Sequence, residues 1–277
     1  MMEPSRKYLS VRTQCELLGI ARSGLYYEEA VASERAGLLR ELLLEEHLKA
    51  PVYGARKLAA AAQRMGYPVG RKLVGRLMKD LGIKAISPHR RVSLSGAGKN
   101  RRRYPYLLHG LTITRPNHVW ATDITYLRLS SGFVYLVALI DLHSRYIVGW
   151  TLSTSLDAVF CVETLERAMR QHGTPEIANM DQGCQFTSEE YLGALESAGV
   201  RISMDGKGRV FDNILIERFW RTVKYEEVYL RRYESVSEAR EAIGAFIRFY
   251  NEQRLHQSLA YQTPAEVYHA REAAAAA

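Results

Sequence analysis

One stretch, Val119–Leu142, constrains the fold of this 277-residue chain more than any other. Its sequence, VWATDITYLRLSSGFVYLVALIDL, is rich in the β-branched and aromatic residues that favour strands. The Ser130-Ser131-Gly132 turn divides the stretch in two and so predicts a β-hairpin. Asp123 lies within the first strand, where burying a carboxylate is costly unless another group pairs with it.

Two acids downstream of the hairpin have comparable settings. Asp181 ends the run EIANMD, and Glu217 lies in the helical pattern NILIERFWRTVKYE, with 35 residues between the two acids. Three carboxylates on separate elements provide the oxygen ligands that two divalent cations need to cleave a phosphodiester. The sequence therefore predicts a catalytic metal site at Asp123, Asp181 and Glu217, with two Mg²⁺ ions that Mn²⁺ can replace.

Each acid also has a structural interpretation. Asp123 could be the buried partner of an arginine, and Glu217 could pair with Arg221 one turn along its helix. Three other acids compete for the metal site, with alternatives of their own: Asp141 in a turn or an ion pair with Arg145, Asp205 before a glycine loop, and Asp212 as a helix cap. His256 is not expected to bind metal, because no partner at ligand spacing accompanies it.

The positive charge of the chain is concentrated in its N-terminal part. Residues 1–110 contain 21 Lys and Arg against 9 Asp and Glu, whereas the remainder contains 17 against 21. Such asymmetry is typical of a nucleic-acid-binding module, although a solvated basic surface would give the same count.

The three separated cysteines are typical of free thiols in a reducing cytosol, and no apolar run is long enough to span a membrane.

Residues 51–86 predict a helix-turn-helix. An alanine-rich helix over 55–65 is followed by the breaker Gly66-Tyr67-Pro68 and a second helix over 71–81. The predicted inner faces consist of Leu58, Ala62 and Met65 in the first helix and Leu73, Val74, Leu77 and Leu81 in the second. The outer face of the second helix carries four cations that we predict to contact DNA: Arg71, Lys72, Arg76 and Lys79. A helical hairpin with a solvated charged face is the alternative.

Two further groups of cations are expected to contact phosphates. The linker 87–110 lacks periodicity and contains Lys99, Arg101, Arg102 and Arg103 beside two tyrosines. The second group comprises Lys207 and Arg209 of a flexible loop with Arg221 and Lys224 of the Glu217 helix. Surface charge without a DNA contact is the alternative for this second group.

The order of the remaining elements predicts a ribonuclease H-like domain. Three antiparallel strands are followed by a helix and by alternating strands and helices. The predicted strands are 119–129, 133–142, 146–153, 176–181 and 200–204, and the predicted helices are 157–172, 188–198, 213–229, 237–250 and 264–270. Near the N-terminus, helices are predicted from Thr13 to Gly19, through Tyr26, and from Ser33 to Leu48, whose leucines suit a core or a partner surface.

These stretches together resemble the transposases of bacterial insertion sequences, of the DDE or retroviral-integrase superfamily, and most closely the second-frame (OrfB-type) product of the IS-three family. The resemblance covers roughly residues 10–270 and is carried by YGARKLAAAAQRMGYPVGRKLVGRLMKDLGIKA, RPNHVWATDITYL, YLVALIDLHSRYIVGW, DQGCQFTSEEY, SMDGKGRVFDNILIERFWRTVKYE and FYNEQRLHQSLAYQTPAEVY. The interval of 35 residues before the last glutamate is a feature of that family. Leu255 and Cys184 depart from it, since proline and serine are usual there.

The resemblance implies that Asp123, Asp181 and Glu217 are the metal ligands of an enzyme that cuts element ends and joins them to target DNA. It also implies a homo-oligomer on DNA, and an upstream-frame (OrfA-type) partner or fusion, in the bacterial cytoplasm. A nuclease of the same fold without strand transfer, and a non-catalytic DNA-binding regulator, are the alternatives. The expected domains are an N-terminal helical region (1–50), a helix-turn-helix module (51–88), a basic linker (89–111), a ribonuclease H-like integrase catalytic core in an α/β fold (112–232) and a C-terminal helical segment (233–277).

Overall fold

The computed structural model describes residues 10–19, 22, 34–86, 104–130, 132–204 and 214–275. Its N-terminal part is helical, with α1 (Val11–Leu18), α2 (Glu34–Lys49), α3 (Ala55–Arg64) and α4 (Arg71–Asp80). The predicted stop at Gly19 is confirmed, because this residue ends α1 in the left-handed region at φ 64°. The expected helix through Tyr26 and the Ser33 cap lie outside the described residues.

A five-stranded mixed sheet forms the centre of the molecule. Its strands are β1 (Val119–Leu129), β2 (Gly132–Asp141), β3 (Ile147–Ser153), β4 (Ile177–Met180) and β5 (Arg201–Met204). They lie in the order β3-β2-β1-β4-β5, with β1, β2 and β3 antiparallel and β4 and β5 parallel to β1. The predicted antiparallel meander and the ribonuclease H-like arrangement are therefore confirmed.

Helices cover both faces of this sheet. They are α5 (Ala158–His172), α6 (Glu189–Ser197), α7 (Ile214–Glu226), α8 (Val236–Glu252) and α9 (Pro264–Ala275). Ser188 caps α6 as predicted, since its hydroxyl accepts a hydrogen bond from Tyr191 N. The prediction that α7 continues to residue 229 is wrong: the helix ends at Glu226, Glu227 leaves the helical region at φ −131°, and a short 3₁₀ turn follows over Val228–Leu230.

The apolar run of β2 is continuous because both of its faces are buried. Leu136, Ala138 and Ile140 pack with α7 and α8, whereas Val137 and Leu139 pack with α5 and α6. In β1, Ala121 and Leu127 belong to the α7 and α8 side. Since side chains alternate along a strand, Asp123 points to that same side. Among the described helices, none is long and apolar enough to cross a membrane.

A third core joins the helix-turn-helix to the C-terminal segment. Leu39 and Leu43 of α2 are buried in it, which confirms the core interpretation for these two leucines, whereas Leu38 is exposed. The predicted burial of Met65 and Leu73 is wrong, because Met65 lies beyond the last residue of α3 and α4 packs through Val74, Leu77 and Met78 instead.

Leu255 enters this third core from the far end of the chain. It is buried, and its backbone N–H donates to the Tyr53 hydroxyl at 2.8 Å. The helix-turn-helix is therefore packed against the C-terminal segment through apolar contact and through a buried hydrogen bond.

Candidate active site

Asp123 is the first residue of β1 beyond its pairing with β4. The parallel pairing of β1 with β4 ends at Thr122 opposite Met180, and Asp123 and Asp181 are the next residue on each strand. Because parallel strands keep their register, these two acids leave the same end of adjacent strands side by side. The pairing with β2 continues on the other side of Asp123, which is opposite Ala138.

Helix α7 brings the third acid to the same place. Trp220 of α7 donates its indole N–H to Asp123 Oδ2 at 2.7 Å, and the other carboxylate oxygen accepts the Ile124 backbone N–H at 2.8 Å. Glu217 lies three residues before Trp220, which in a helix is about one turn. The indole hydrogen bond therefore fixes the Glu217 turn of α7 relative to β1.

Burial is the main cause of an unusual pKa at Asp123. The pKa of this carboxyl is raised to about 6, mainly by burial and also by the negative charges of Asp181 and Glu217. The hydrogen bonds from Trp220 and the Ile124 backbone oppose the rise. The three predicted acids thus share one electrostatic environment, in which their charges repel one another.

Asp181 and Glu217 are both exposed, unlike Asp123. Asp181 Oδ1 accepts the backbone N–H of Gly183 at 2.9 Å. A Cβ at position 183 would lie only 2.9 Å from that same oxygen, so a larger residue there would displace the Asp181 carboxylate. For Glu217, the expected structural pairing with Arg221 is not observed, since the ion pair made by α7 within the described residues joins Glu226 to Arg254.

Asp141 has a structural role instead. It is fully buried, and its carboxylate accepts hydrogen bonds from Ser144 N, Ser144 Oγ and Asn117 N at 2.6 to 2.8 Å. Of its two structural interpretations, the turn is the one observed, because the Arg145 guanidinium donates to Ser258 instead. Asp205 and Asp212 lie outside the described residues.

The three acids are candidate ligands for a divalent cation. Within the ranges that the structure describes, no three His, Cys, Asp or Glu side chains converge closely enough to hold a metal ion. The donor set nevertheless fits Mg²⁺, which takes oxygen ligands and keeps several waters. A cation would also relieve the repulsion among the three carboxylates, and the exposed side chains of Asp181 and Glu217 are the two that would have to turn toward it.

The predicted DNA-contacting cations fall into three groups. The four of α4 (Arg71, Lys72, Arg76 and Lys79) are exposed, as expected for an outer face. On α7, the Arg221 guanidinium lies 6.0 Å from the Tyr225 ring centroid and the Lys224 ammonium 5.2 Å from that of Tyr126. The remaining six lie outside the described residues: Lys99, Arg101, Arg102, Arg103, Lys207 and Arg209.

Lys224 interacts electrostatically with Asp123. Burial lowers the pKa of its ammonium, and the charge of Asp123 raises it.

Trp220 is the neighbour of Asp123 that the sequence interpretation missed. Its position three residues after Glu217 places it near the same face of a helix, and this spacing was the available signal.

Comparisons with known proteins agree with this architecture. Two models of the family described as "Integrase core domain" match residues 113–210 and 198–264, and a model of the "HTH-like domain" matches residues 34–91. The chain is 32% identical to the transposase for insertion sequence element IS904 of Lactococcus lactis, over 81% of this chain and 92% of that protein. It is 31% identical to the IS600 protein of Shigella sonnei, over 92% of this chain and 98% of that one.

Two further similarities extend the comparison. The chain is 28% identical to the transposase InsF of IS3 in Escherichia coli, over 92% of each chain. Among solved structures, it is similar to the catalytic core domain of HTLV-2 integrase in complex with magnesium, with 18% identity and a TM-score of 0.46. That match covers 56% of this chain and 98% of the integrase core.

Proposed function

The chain belongs to the bacterial insertion-sequence transposases with an integrase core domain, and on this premise we propose that Asp123, Asp181 and Glu217 are its catalytic metal ligands. The protein is a DNA transposase, a polynucleotidyl transferase that cuts and joins phosphodiesters. The proposal is supported mainly by the proximity of three chain segments. Asp123 and Asp181 lie at adjacent strand ends, and Glu217 lies one helical turn from Trp220, whose indole binds Asp123.

The proposed ligands would hold two Mg²⁺ ions, for which Mn²⁺ could substitute. Two such ions, when bound, activate the attacking oxygen and stabilise the leaving oxygen of an in-line displacement. Asp123 is the fixed ligand, because the Trp220 and Ile124 hydrogen bonds orient its carboxylate while leaving lone pairs on each oxygen for a cation. Asp181 and Glu217 would complete the set from the solvent-exposed side.

The cations near the acids would position the DNA. Lys224 is half-buried beside Asp123, where its charge can neutralise a phosphate next to the reacting one. Arg221 is exposed one turn earlier on the same helix and would contact the flanking backbone. The exposed cations of α4 would bind the element end, which suits an HTH-like domain that presents its second helix to DNA.

Assembly and partners are part of the same proposal. We infer a homo-oligomer on DNA, because joining two element ends to one target requires two active sites held together. An upstream-frame (OrfA-type) partner or fusion would add sequence recognition and a coiled coil, since the leucines of α2 span under two heptads and Leu39 and Leu43 are buried in the core. Isolated residues 1–277 should then bind an element end with little sequence preference.

The test replaces Glu217 with Gln, which keeps side-chain volume and removes one anionic ligand. Cleavage and joining of a labelled element end in Mg²⁺ should fall by at least two orders of magnitude, because charge stabilisation of the displacement is lost. DNA binding without metal should stay within about twofold. Asp123→Asn and Asp181→Asn should behave alike.

Glu190→Gln is the matched control, because Glu190 is an exposed glutamate on α6 whose charge lies outside the proposed site. It should leave cleavage and joining unchanged. Near-normal joining by Glu217→Gln would refute the site assignment. Loss of folding by Glu217→Gln, measured by thermal unfolding, would show that this acid is structural.

A further inference from the structure

The exposed aromatic rings of the described residues line one groove beside the β1–β2 hairpin. Within the described part of the chain, the aromatic side chains that are mostly exposed are Tyr126, Phe133 and Tyr229, at 62%, 55% and 58%. All three line one open cavity of about 740 Å³, here called the hairpin groove. Such rings are expensive to leave in water, and their convergence in one groove indicates a ligand.

The rings are arranged in edge-to-face pairs. Tyr126 and Phe133 have centroids 5.8 Å apart at an interplanar angle of 82°, and Tyr229 meets Tyr225 at 5.1 Å and 88°. In an edge-to-face pair, one ring keeps both of its faces clear of its partner. The hairpin groove therefore offers aromatic faces on which a planar group could stack.

Positive charge accompanies these rings. Among the described residues, the hairpin groove is lined by four cations, Arg128, Lys224, Arg231 and Arg232, and by no acid. Arg231 pairs with Glu227 and Arg232 with Glu234, at the border of the groove. The Lys224 ammonium lies over one face of the Tyr126 ring, 5.2 Å from its centroid, so a base would stack on the opposite face of that ring. Aromatic rings interleaved with cations favour a ligand that has both bases and phosphates.

Lys224 links the groove to the candidate active site, because it lines the groove and its ammonium interacts electrostatically with the Asp123 carboxylate. Tyr126 lies three residues after Asp123 in β1, and Lys224 lies seven residues after Glu217 in α7. A DNA strand with one phosphate bound by Lys224 would therefore reach from the acids to the groove. We propose that the hairpin groove binds unpaired nucleotides of the DNA at the active site, with bases stacked on Tyr126, Phe133 and Tyr229 and phosphates bound by Arg128 and Lys224.

This inference rests on the proposed function for the origin of the DNA. The charges and the rings of the groove independently disfavour two other occupants. A second copy of the chain, related by a two-fold axis, would place Arg128 and Lys224 against the same two cations of its partner. A fully paired duplex keeps its bases stacked on one another and offers the rings no free face. Unpaired nucleotides satisfy both the rings and the charges.

The experiment measures binding of the full chain to a fluorescein-labelled oligothymidylate of about 12 nucleotides, by anisotropy in EDTA. A blunt duplex of the same length is the second probe. Tyr126→Ala and Tyr229→Ala should each weaken oligothymidylate binding about fivefold or more, because one stacking surface is lost. Duplex binding should change less than twofold. Tyr126→Phe keeps the ring and should retain the affinity.

Val159→Ala is the matched control, since Val159 is 62% exposed on α5 and lies outside the groove. It should leave both affinities unchanged. Arg128→Gln should reduce the slope of log K against log salt for the oligothymidylate by about 0.7, the value for one phosphate contact on a single strand.

Unchanged oligothymidylate affinity in both tyrosine variants would overturn the proposal. Altered sedimentation of those variants with unchanged DNA affinity would also overturn it, and would assign the groove to self-association. Because EDTA removes catalysis from the measurement, failure of the groove leaves the Glu217 test standing. Equally, weakened binding by the tyrosine variants would support the groove even if no variant or wild-type protein cleaved DNA.

Discussion

Replacing His256 tests how the helix-turn-helix is packed against the rest of the chain. The ring of His256 is 7% exposed, and its Nε2 lies 3.3 Å from Arg254 Nη1. Because an arginine can only donate, that nitrogen must be unprotonated to accept the hydrogen bond. The pKa of His256 is lowered to about 2, mainly by burial and also by the positive charges of Arg254, Lys57 and Arg145.

The direction of the pH dependence follows from this depressed pKa. A histidine in the unfolded chain has a pKa of about 6.5, so below that pH the unfolded state binds a proton that the folded state excludes. The stabilisation is therefore present above pH 6.5 and is lost as the pH falls. Each pH unit below 6.5 costs about 1.4 kcal/mol, which gives about 2 kcal/mol between pH 7 and pH 5.

The assay is urea unfolding at pH 5, 6 and 7 for the wild type and for His256→Gln, whose amide oxygen can still accept from Arg254. The free energy of unfolding of the wild type should fall by about 2 kcal/mol more than that of the variant between pH 7 and pH 5. His109→Gln, at an exposed histidine, should parallel the wild type. Parallel profiles for the wild type and His256→Gln would show that His256 takes up a proton in the folded state, and would refute the reasoning.

Two further substitutions test the hydrogen bonds that join the elements. Trp220→Phe removes the N–H that orients Asp123, so the free energy of unfolding should fall by about 1.5–3 kcal/mol and end cleavage should fall with it. Equal cleavage by this variant would show that the indole does not position the carboxylate. Tyr53→Phe leaves the buried Leu255 N–H without its acceptor and should cost about 1–3 kcal/mol in urea unfolding, and a change below 0.5 kcal/mol would contradict the buried bond.

The sequence predicted the strands and the antiparallel pairing of the first three, because these depend on local patterns and on short connections. Alternation and β-branched residues identify β1, and the apolar run of β2 indicates a strand covered on both faces. The neighbouring positions of Asp123 and Asp181 depend on register, which follows once β1 and β4 are parallel neighbours. The contact between Asp123 and Trp220 was not predictable in this way, because the angle at which α7 crosses the sheet depends on tertiary packing.

The errors in the predicted helices have the same origin. Met65 and Leu73 satisfy a helical apolar pattern, yet the pattern cannot tell which edge of the apolar face meets the neighbouring helix. Here α4 packs through Val74, Leu77 and Met78, so Leu73 is left exposed. Leu255 could be identified only as a departure from the usual proline, and its place in the third core depends on a contact across some 200 residues of chain.

Helix α7 is joined to the rest of the chain by hydrogen bonds at two positions. At its middle, Trp220 donates a hydrogen bond to Asp123. At its end, Glu226 accepts two hydrogen bonds from the buried Arg254 guanidinium, at 2.7 Å from Nε and 2.5 Å from Nη2. Breaking one partner of such a buried pair is costly, because it leaves an uncompensated charge.

Arg254 immediately precedes Leu255, which is part of the core of the helix-turn-helix. A displacement of the helix-turn-helix would therefore have to move Leu255, then the Arg254 pair and then the end of α7. Since Glu217 lies on that same helix, we expect DNA binding by α4, if it occurs as proposed, to be coupled to the alignment of the acids through these packed and hydrogen-bonded groups.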